Sequence, residues 1–157
     1  MRDEIDVTKI VIPHADVVKY SPRIGAEIRN IKLSADLPDD TIAAIHGLVL
    51  EHKVIFFRDQ GHLDDAEQER FALRFGKPSP YPEGTMPLLE IDSAGEDIQA
   101  DIWHIDWSCM DAYPKISVLR GVVIRAGSVC LNSFGRFAKW ISATDYAAAI
   151  IGVSALK

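Results

Sequence analysis

Trp103-His104-Ile105-Asp106-Trp107-Ser108 is the stretch on which the predicted fold and function of this chain both depend. In a β-strand, residues two apart project from the same face, so His104 and Asp106 are predicted to point the same way. An imidazole nitrogen and a carboxylate oxygen on one face can take two adjacent corners of an octahedral metal ion. A second histidine would complete the facial triad of non-haem iron(II) oxygenases. The spacing alone is a weak signal, because a packed histidine beside a turn carboxylate gives the same pattern.

The composition is that of an ordinary globular protein of about one domain, with 157 residues of which 48% are hydrophobic and 25% charged. A formal net charge of -6 argues against nucleic acid or an anionic membrane as a partner. The acidic N-terminus lacks the apolar core of a signal peptide, and no apolar run could span a bilayer, which predicts a cytoplasmic location. Cys109 and Cys130 have no zinc-like spacing, so reduced thiols are favoured over a disulfide.

The first part of the chain carries short strand signals followed by a helix. Residues 7–20 alternate imperfectly between apolar and polar, which predicts an edge strand and its turn. Residues 24–28 and 31–33 predict a pair of short strands. Leu37-Pro38-Asp39-Asp40 predicts the start of a helix with an aspartate as its cap, because apolar residues follow at helical spacing.

The central part combines a buried strand with a second helix. Residues 53–57, KVIFF, form a continuous β-branched and aromatic run, which predicts a central strand buried on both faces. Asp64 and Glu67 have the spacing of a capping box and predict a second helix. Three apolar residues are predicted to carry this helix into the core: Phe71, Leu73 and Phe75.

Later segments predict a stiff loop, a long strand and a final helix. Residues 77–87 hold four of the eight prolines, and loops held stiffly on a scaffold often line functional sites. Residues 116–124 predict the longest strand. Tyr146 to Leu156 is rich in alanine and predicts a helix.

Five stretches, taken together, resemble one known family. They are residues 25–28 (GAEI), the helix start at Leu37, residues 51–60 (EHKVIFFRDQ), residues 74–76 (RFG) and the 103–108 stretch. Through them the chain resembles the N-terminal half of the TauD/TfdA (taurine / 2,4-dichlorophenoxyacetate dioxygenase) family of Fe(II)- and 2-oxoglutarate-dependent dioxygenases. The joint match is far more specific than His-x-Asp alone.

The resemblance implies an α+β, mainly β fold: a partial double-stranded β-helix (jelly roll, clavaminate-synthase-like) with flanking helices. It implies His104 and Asp106 as two ligands of Fe(II), with 2-oxoglutarate as cosubstrate and a small organic acid, bearing a sulfonate or carboxylate, as substrate. The 77–87 loop matches the family's substrate-contacting region, which makes Ser79 and Tyr81 candidate substrate contacts. A surface turn with an exposed aromatic ring remains the alternative for these two residues.

The chain departs from the family after its long predicted strand. Residues 1–124 are predicted to be the N-terminal half of a TauD/TfdA-like domain, and 125–157 a divergent or truncated C-terminal segment. The family has a Gly-Gly-Asp-Thr turn, with a threonine that helps bind the cosubstrate, where this chain has residues 125–129, RAGSV. The family's second histidine ligand and cosubstrate-binding arginine come later, and none of the five histidines here follows Asp106. Arg125 or Arg136 would have to replace that arginine.

Three hypotheses of function therefore stand side by side. The chain is a dioxygenase if another chain, in a homo-oligomer or otherwise, donates the missing histidine and arginine. It is alternatively a catalytically inactive family remnant, or a cupin-like module that binds a small molecule without redox chemistry. Turnover of 2-oxoglutarate to succinate distinguishes the first from the others, and ligand-induced thermal stabilisation without turnover favours the third. Half a jelly roll leaves unpaired strand edges, so poor folding of the chain alone is also expected.

Overall fold

A computed structural model of the chain describes residues 12–22, 24–78, 114–122 and 148–152, the last by backbone pairing. Over these residues the chain forms a five-stranded mixed sheet with two helices. The strands are β1 (Val17–Lys19), β2 (Ala26–Ile28), β3 (Val54–Phe57), β4 (Ile116–Arg120) and β5 (Ala148–Gly152), and the helices are α1 (Asp39–His52) and α2 (Asp65–Leu73). The α+β class predicted from the sequence is confirmed. None of the helices in the described ranges is long and apolar enough to cross a membrane.

The strand order of the sheet is β1-β2-β3-β5-β4. β2 and β3 are parallel and are joined through α1, whereas the other three neighbouring pairs are antiparallel. β1 lies at one end of this order, which confirms the predicted edge strand, and a short 3-10 helix, His14–Asp16, leads into it. β3 lies in the middle of the order, as its continuous apolar sequence predicts.

The hydrophobic core lies between the sheet and the two helices. All four residues of β3 are buried, which confirms the strand predicted to be covered on both faces. Side chains alternate between the two faces along a strand, and alternate residues of β2 and β3 belong to the core cluster. The core cluster combines Ala26, Ile28, Ile55 and Phe57 from the sheet with Ile42, Ile45 and Val49 from α1 and Phe71 from α2.

α1 begins where the sequence predicts, but it is not capped as predicted. Pro38 is the N-cap residue and provides no side-chain hydrogen bond. The Asp39 carboxylate instead accepts a hydrogen bond from Arg74, at 2.6 Å, so it is turned towards α2. The prediction of an aspartate cap was therefore wrong. The helix ends at Lys53, whose N–H donates to the Val49 carbonyl at 2.8 Å and whose φ is 66°.

α2 carries the predicted cap and only part of the predicted apolar face. The Asp64 carboxylate accepts a hydrogen bond from the Glu67 N–H at 2.7 Å, which confirms the start of the helix. Phe71 is fully buried and Phe75, just beyond the helix, is half-buried. Leu73 is 48% exposed, so its predicted core position was wrong. Two residues span about 200° of a helix, which turns Leu73 away from the face of Phe71.

Two further secondary-structure predictions were wrong. Residues 31–33 form no strand, and β2 pairs with β1 instead. Ala148–Gly152 forms a strand between β3 and β4 where a helix was predicted. The predicted 116–124 strand is confirmed over Ile116–Arg120. A double-stranded β-helix requires more strands than the described residues supply, so it stays a prediction.

Candidate functional site

The residues predicted to form the functional site lie outside the described residues: His104, Asp106, Ser79, Tyr81, Arg125 and Arg136. The structure describes the framework on either side of them. Pro78, the first proline of the 77–87 loop, comes five residues after the end of α2, and β4 begins ten residues after Asp106. Within the described ranges, no group of three or more His, Cys, Asp or Glu side chains could hold a metal ion.

The four other histidines occupy separate positions on this framework. His14 lies exposed in the 3-10 helix, and the exposed His46 on α1 has its ring centroid 6.5 Å from that of Phe75. His62 Nε2 lies 2.8 Å from the Leu33 carbonyl oxygen. His52 is buried at the end of α1, and this burial lowers its pKa below the ordinary 6.5. A neutral, packed His52 at neutral pH follows, which is a structural role.

The buried carboxylate of Glu27 contacts the two arginines that follow the parallel strands β2 and β3. Glu27 lies in the middle of β2 and is 4% exposed. The Tyr20 hydroxyl donates to its Oε2 at 2.5 Å, and the Nε atoms of Arg29 and Arg58 lie 3.2 and 3.3 Å from its Oε1. Phe56, opposite Glu27 on β3, contacts the Tyr20 ring at a centroid distance of 5.2 Å.

The pKa of Glu27 is the outcome of opposing influences. Burial raises the pKa of this carboxyl, but the hydrogen bonds from Tyr20 and Arg29 and the charges of Arg58 and Arg29 lower it by more, so it lies below its ordinary 4.5. The Glu27 carboxylate in turn raises the pKa of Arg29. The group is therefore a fixed anion at neutral pH that holds two guanidinium groups side by side.

The Gln60 side chain connects residues 31–33, which precede α1, to the end of β3 through hydrogen bonds. Its side chain is almost fully buried, and Oε1 accepts from the Leu33 N–H at 2.8 Å. Its Nε2 donates to the carbonyl oxygens of Ile31 and Arg58, at 3.0 and 2.6 Å. The sequence indicates only polar turn chemistry at this position, and no periodicity reveals a buried amide.

Arg120 fastens β4 to α2. Its guanidinium donates to Gln68 Oε1 at 2.9 Å and to the Leu63 carbonyl at 2.8 Å, and it also binds the Asp65 carboxylate. Gln68 Nε2 donates to the Val118 carbonyl at 3.2 Å, which adds a second connection between the same elements. These contacts fix the strand that begins ten residues after Asp106.

The comparisons with known proteins identify the family. A sequence model of the taurine catabolism dioxygenase TauD, TfdA family matches residues 16–128, which is more than half of the chain. The chain belongs to the TauD/TfdA dioxygenase family. The resemblance predicted from the sequence is thereby confirmed, and the matched range includes both predicted iron ligands.

Two relatives of this TauD/TfdA chain come from Acinetobacter and Pseudomonas. An alkylsulfatase of Acinetobacter baylyi is 50% identical over 111 residues, which cover 68% of this chain and 35% of that protein. An alpha-ketoglutarate-dependent sulfate ester dioxygenase of Pseudomonas putida is 48% identical over 122 residues, which cover 73% of this chain and 40% of that protein. The chain thus spans well under half the length of either relative.

A solved structure also resembles part of the chain. It is assigned as an alpha-ketoglutarate-dependent taurine dioxygenase from Burkholderia xenovorans, with a TM-score of 0.39 and 24% sequence identity over 69% of this chain and 31% of that one. At this TM-score the structural alignment adds nothing to the sequence match, and the family assignment rests on the sequence match alone.

Proposed function

We propose that this chain carries part of the active site of an Fe(II)- and 2-oxoglutarate-dependent dioxygenase that oxidises a small organic acid, with a sulfate ester as the first candidate substrate. The observation that carries the proposal is the family match over residues 16–128, which includes His104 and Asp106. The two relatives at 50% and 48% identity, named for alkyl sulfates and sulfate esters, suggest the substrate. Under this proposal the described sheet belongs to a double-stranded β-helix with flanking helices.

The chemistry of the donor set fits iron(II) in part. His104 offers an imidazole nitrogen and Asp106 a carboxylate oxygen, which are two of the three donors in a facial triad. When bound, iron(II) would use dioxygen as the oxidant, coupling oxidation of the substrate to conversion of 2-oxoglutarate to succinate and carbon dioxide. Under this proposal the third metal ligand is not assigned to a residue of this chain, and His104 with Asp106 is expected to bind iron(II) and 2-oxoglutarate weakly without it.

The residues of this chain have three tasks in that reaction. His104 and Asp106 would hold iron(II) as two of its protein ligands. Ser79 and Tyr81 donate hydroxyl hydrogen bonds to the charged oxygens of the substrate. Arg120 is a positioning residue, because it fixes the strand ten residues beyond Asp106 against α2.

An anaerobic titration of the purified chain with Fe(II), with and without 2-oxoglutarate, tests the proposal. A chelated cosubstrate gives a weak visible charge-transfer band, and we expect the band in the unsubstituted chain and its loss in His104→Ala. His46→Ala is the matched control, because His46 is exposed on α1 and outside the proposed site. The band should survive in this control.

The same titration distinguishes the alternatives. No band with the unsubstituted chain, or a band that His104→Ala leaves intact, contradicts the proposal. Thermal stabilisation by 2-oxoglutarate without a band would instead support the small-molecule binding module. If a protein that provides the missing histidine and arginine is added and succinate is then formed, the chain is shown to be a working part of an enzyme.

A further inference from the structure

A small groove lies where the two parallel strands end. β2 and β3 run in the same direction and are joined through α1, so their carboxyl ends meet at one edge of the sheet. The groove has a volume of about 210 Å³ and is lined by Ile28, Arg29, Asn30, Ile31, Arg58 and Asp59.

Two arginines are brought together at this groove by their position in the sequence. Arg29 directly follows β2 and Arg58 directly follows β3. Glu27 anchors both, because their Nε atoms lie 3.2 and 3.3 Å from the same carboxylate oxygen. The Arg58 guanidinium group makes a cation–π contact with the Phe56 ring, with the guanidinium carbon 5.5 Å from the ring centroid. Anchored guanidinium groups lose less conformational freedom when they bind a ligand.

Three cationic side chains lie at the groove although the whole chain has a net charge of -6. Lys32 adds a third cation, since its ammonium donates to the Asp59 carbonyl at the rim. Three carboxylates accompany them: those of Glu27, Asp59 and Asp16, whose Oδ1 accepts from the groove-lining Asn30 at 2.7 Å. The paired donors of the two guanidinium groups, and not an excess of positive charge, are therefore what would recognise an oxyanion. The Arg29 side chain is 52% exposed and that of Arg58 26% exposed, so a ligand from solvent can reach both.

We propose that this groove is a binding site for a small oxyanion, with sulfate as the representative ligand. Guanidinium groups bind sulfate, phosphate and carboxylate oxygens through paired, charge-assisted hydrogen bonds. A volume of about 210 Å³ lies below the roughly 300–1,000 Å³ of sites for drug-sized ligands, so an ion fits better than a larger molecule. The site is separate from the predicted iron ligands in sequence and does not rest on the proposed dioxygenase function.

The test compares sulfate binding by four proteins in isothermal titration calorimetry: the unsubstituted chain, Arg29→Gln, Arg29→Lys and Arg70→Gln. Arg29 is suited to substitution because its side chain is half-exposed and Arg58 remains as an ion-pair partner of Glu27. Arg70 is the matched control, since it is 59% exposed and paired with Glu67 on α2, away from the groove. Sodium chloride at equal ionic strength separates specific binding from screening.

We expect Arg29→Gln to weaken sulfate binding about tenfold, in line with the loss of a charge-assisted hydrogen bond. Arg29→Lys, which keeps the charge but not the fork, should fall between this variant and the unsubstituted chain, and Arg70→Gln should match the unsubstituted chain. Succinate, titrated in parallel, decides whether terminal carboxylates are accepted like sulfate. Sulfate binding no tighter than chloride, or weakened equally by Arg29→Gln and Arg70→Gln, would overturn the proposal.

Discussion

Replacing Gln60 by methionine removes the hydrogen bonds that hold residues 31–33 in place while nearly keeping the side-chain volume. Three contacts are lost: the Leu33 N–H at 2.8 Å, and the carbonyls of Ile31 and Arg58 at 3.0 and 2.6 Å. Leu33 is fully buried, so its N–H has poor access to water as a substitute partner. At about 1 kcal/mol for each bond, the free energy of unfolding should fall by about 3 kcal/mol.

Urea denaturation measures this loss. With a slope of about 1.5 kcal/mol per molar urea, a loss of about 3 kcal/mol lowers the transition midpoint by about 2 M. Gln60→Glu should be at least as destabilising at pH 7, because it places a carboxylate oxygen against the Ile31 and Arg58 carbonyls. The control is Glu69→Met, a substitution on the exposed face of α2 that should change the free energy by less than about 0.5 kcal/mol.

A fall of less than about 1 kcal/mol in Gln60→Met would refute this reasoning. It would mean that the segment before α1 is held by apolar packing around Leu33, and that the buried amide only follows it. The slope of the transition should stay the same in both variants, because a change of slope would report an altered denatured or native state instead.

Three further predictions concern single side chains. Asp64→Ala removes the cap of α2 and should cost about 1 kcal/mol in thermal unfolding, whereas Asp64→Asn should cost much less; equal losses would contradict the cap. The Ala35 N–H and Ser34 hydroxyl donate to Glu67 and hold its pKa below the ordinary 4.5. The Glu67 carboxylate therefore stabilises the folded state fully above pH 4.5, and this stabilisation is lost as pH falls through the lowered pKa. Glu67→Gln should flatten that part of the stability curve, and an unchanged curve would refute the assignment. Burial lowers the pKa of His52, so the neutral side chain stabilises the fold fully above pH 6.5, and the free energy of unfolding declines as pH falls below that value. His52→Leu should abolish this decline, and urea midpoints measured between about pH 5 and 8 follow it.

The sequence predicted the elements whose local pattern agrees with their packing. The run 53–57 is apolar on both faces, and β3 is buried on both faces. The helical spacing of Ile42, Ile45 and Val49 likewise matches the face of α1 that enters the core. In these cases the positions of the apolar residues in the sequence match the faces that are buried, so the sequence pattern alone predicts the burial.

The wrong predictions fall where distant contacts decide the backbone. Alanine favours a helix locally, but Ala148–Gly152 hydrogen-bonds to two strands that are far away in the sequence, and these pairings override the local preference. Residues 31–33 look like a strand, but the Gln60 side chain takes the Ile31 carbonyl and the Leu33 N–H. Neither partner can be found by scanning a local window.

The candidate site shows the same division. The His104-x-Asp106 spacing predicts a pair of metal ligands, and the family match covers both residues. Their role as ligands stays a prediction, because both lie outside the described residues. The Glu27 cluster was not predicted as a site. Residues 25–28 and 51–60 carry the resemblance, but only the parallel pairing of β2 and β3 shows that Glu27 and Arg58 meet.

The position of β5 also sets an order of events during synthesis of the chain. β5 lies between β3 and β4, yet Val54 and its partner Ile151 are 97 residues apart in the sequence. Because a ribosome releases the N-terminal part first, β1, β2, α1 and β3 emerge long before the strand that completes their sheet. Closing so long a loop is entropically costly and slows folding. One edge of β3 therefore lacks its partner strand until residues 148–152 have been synthesised.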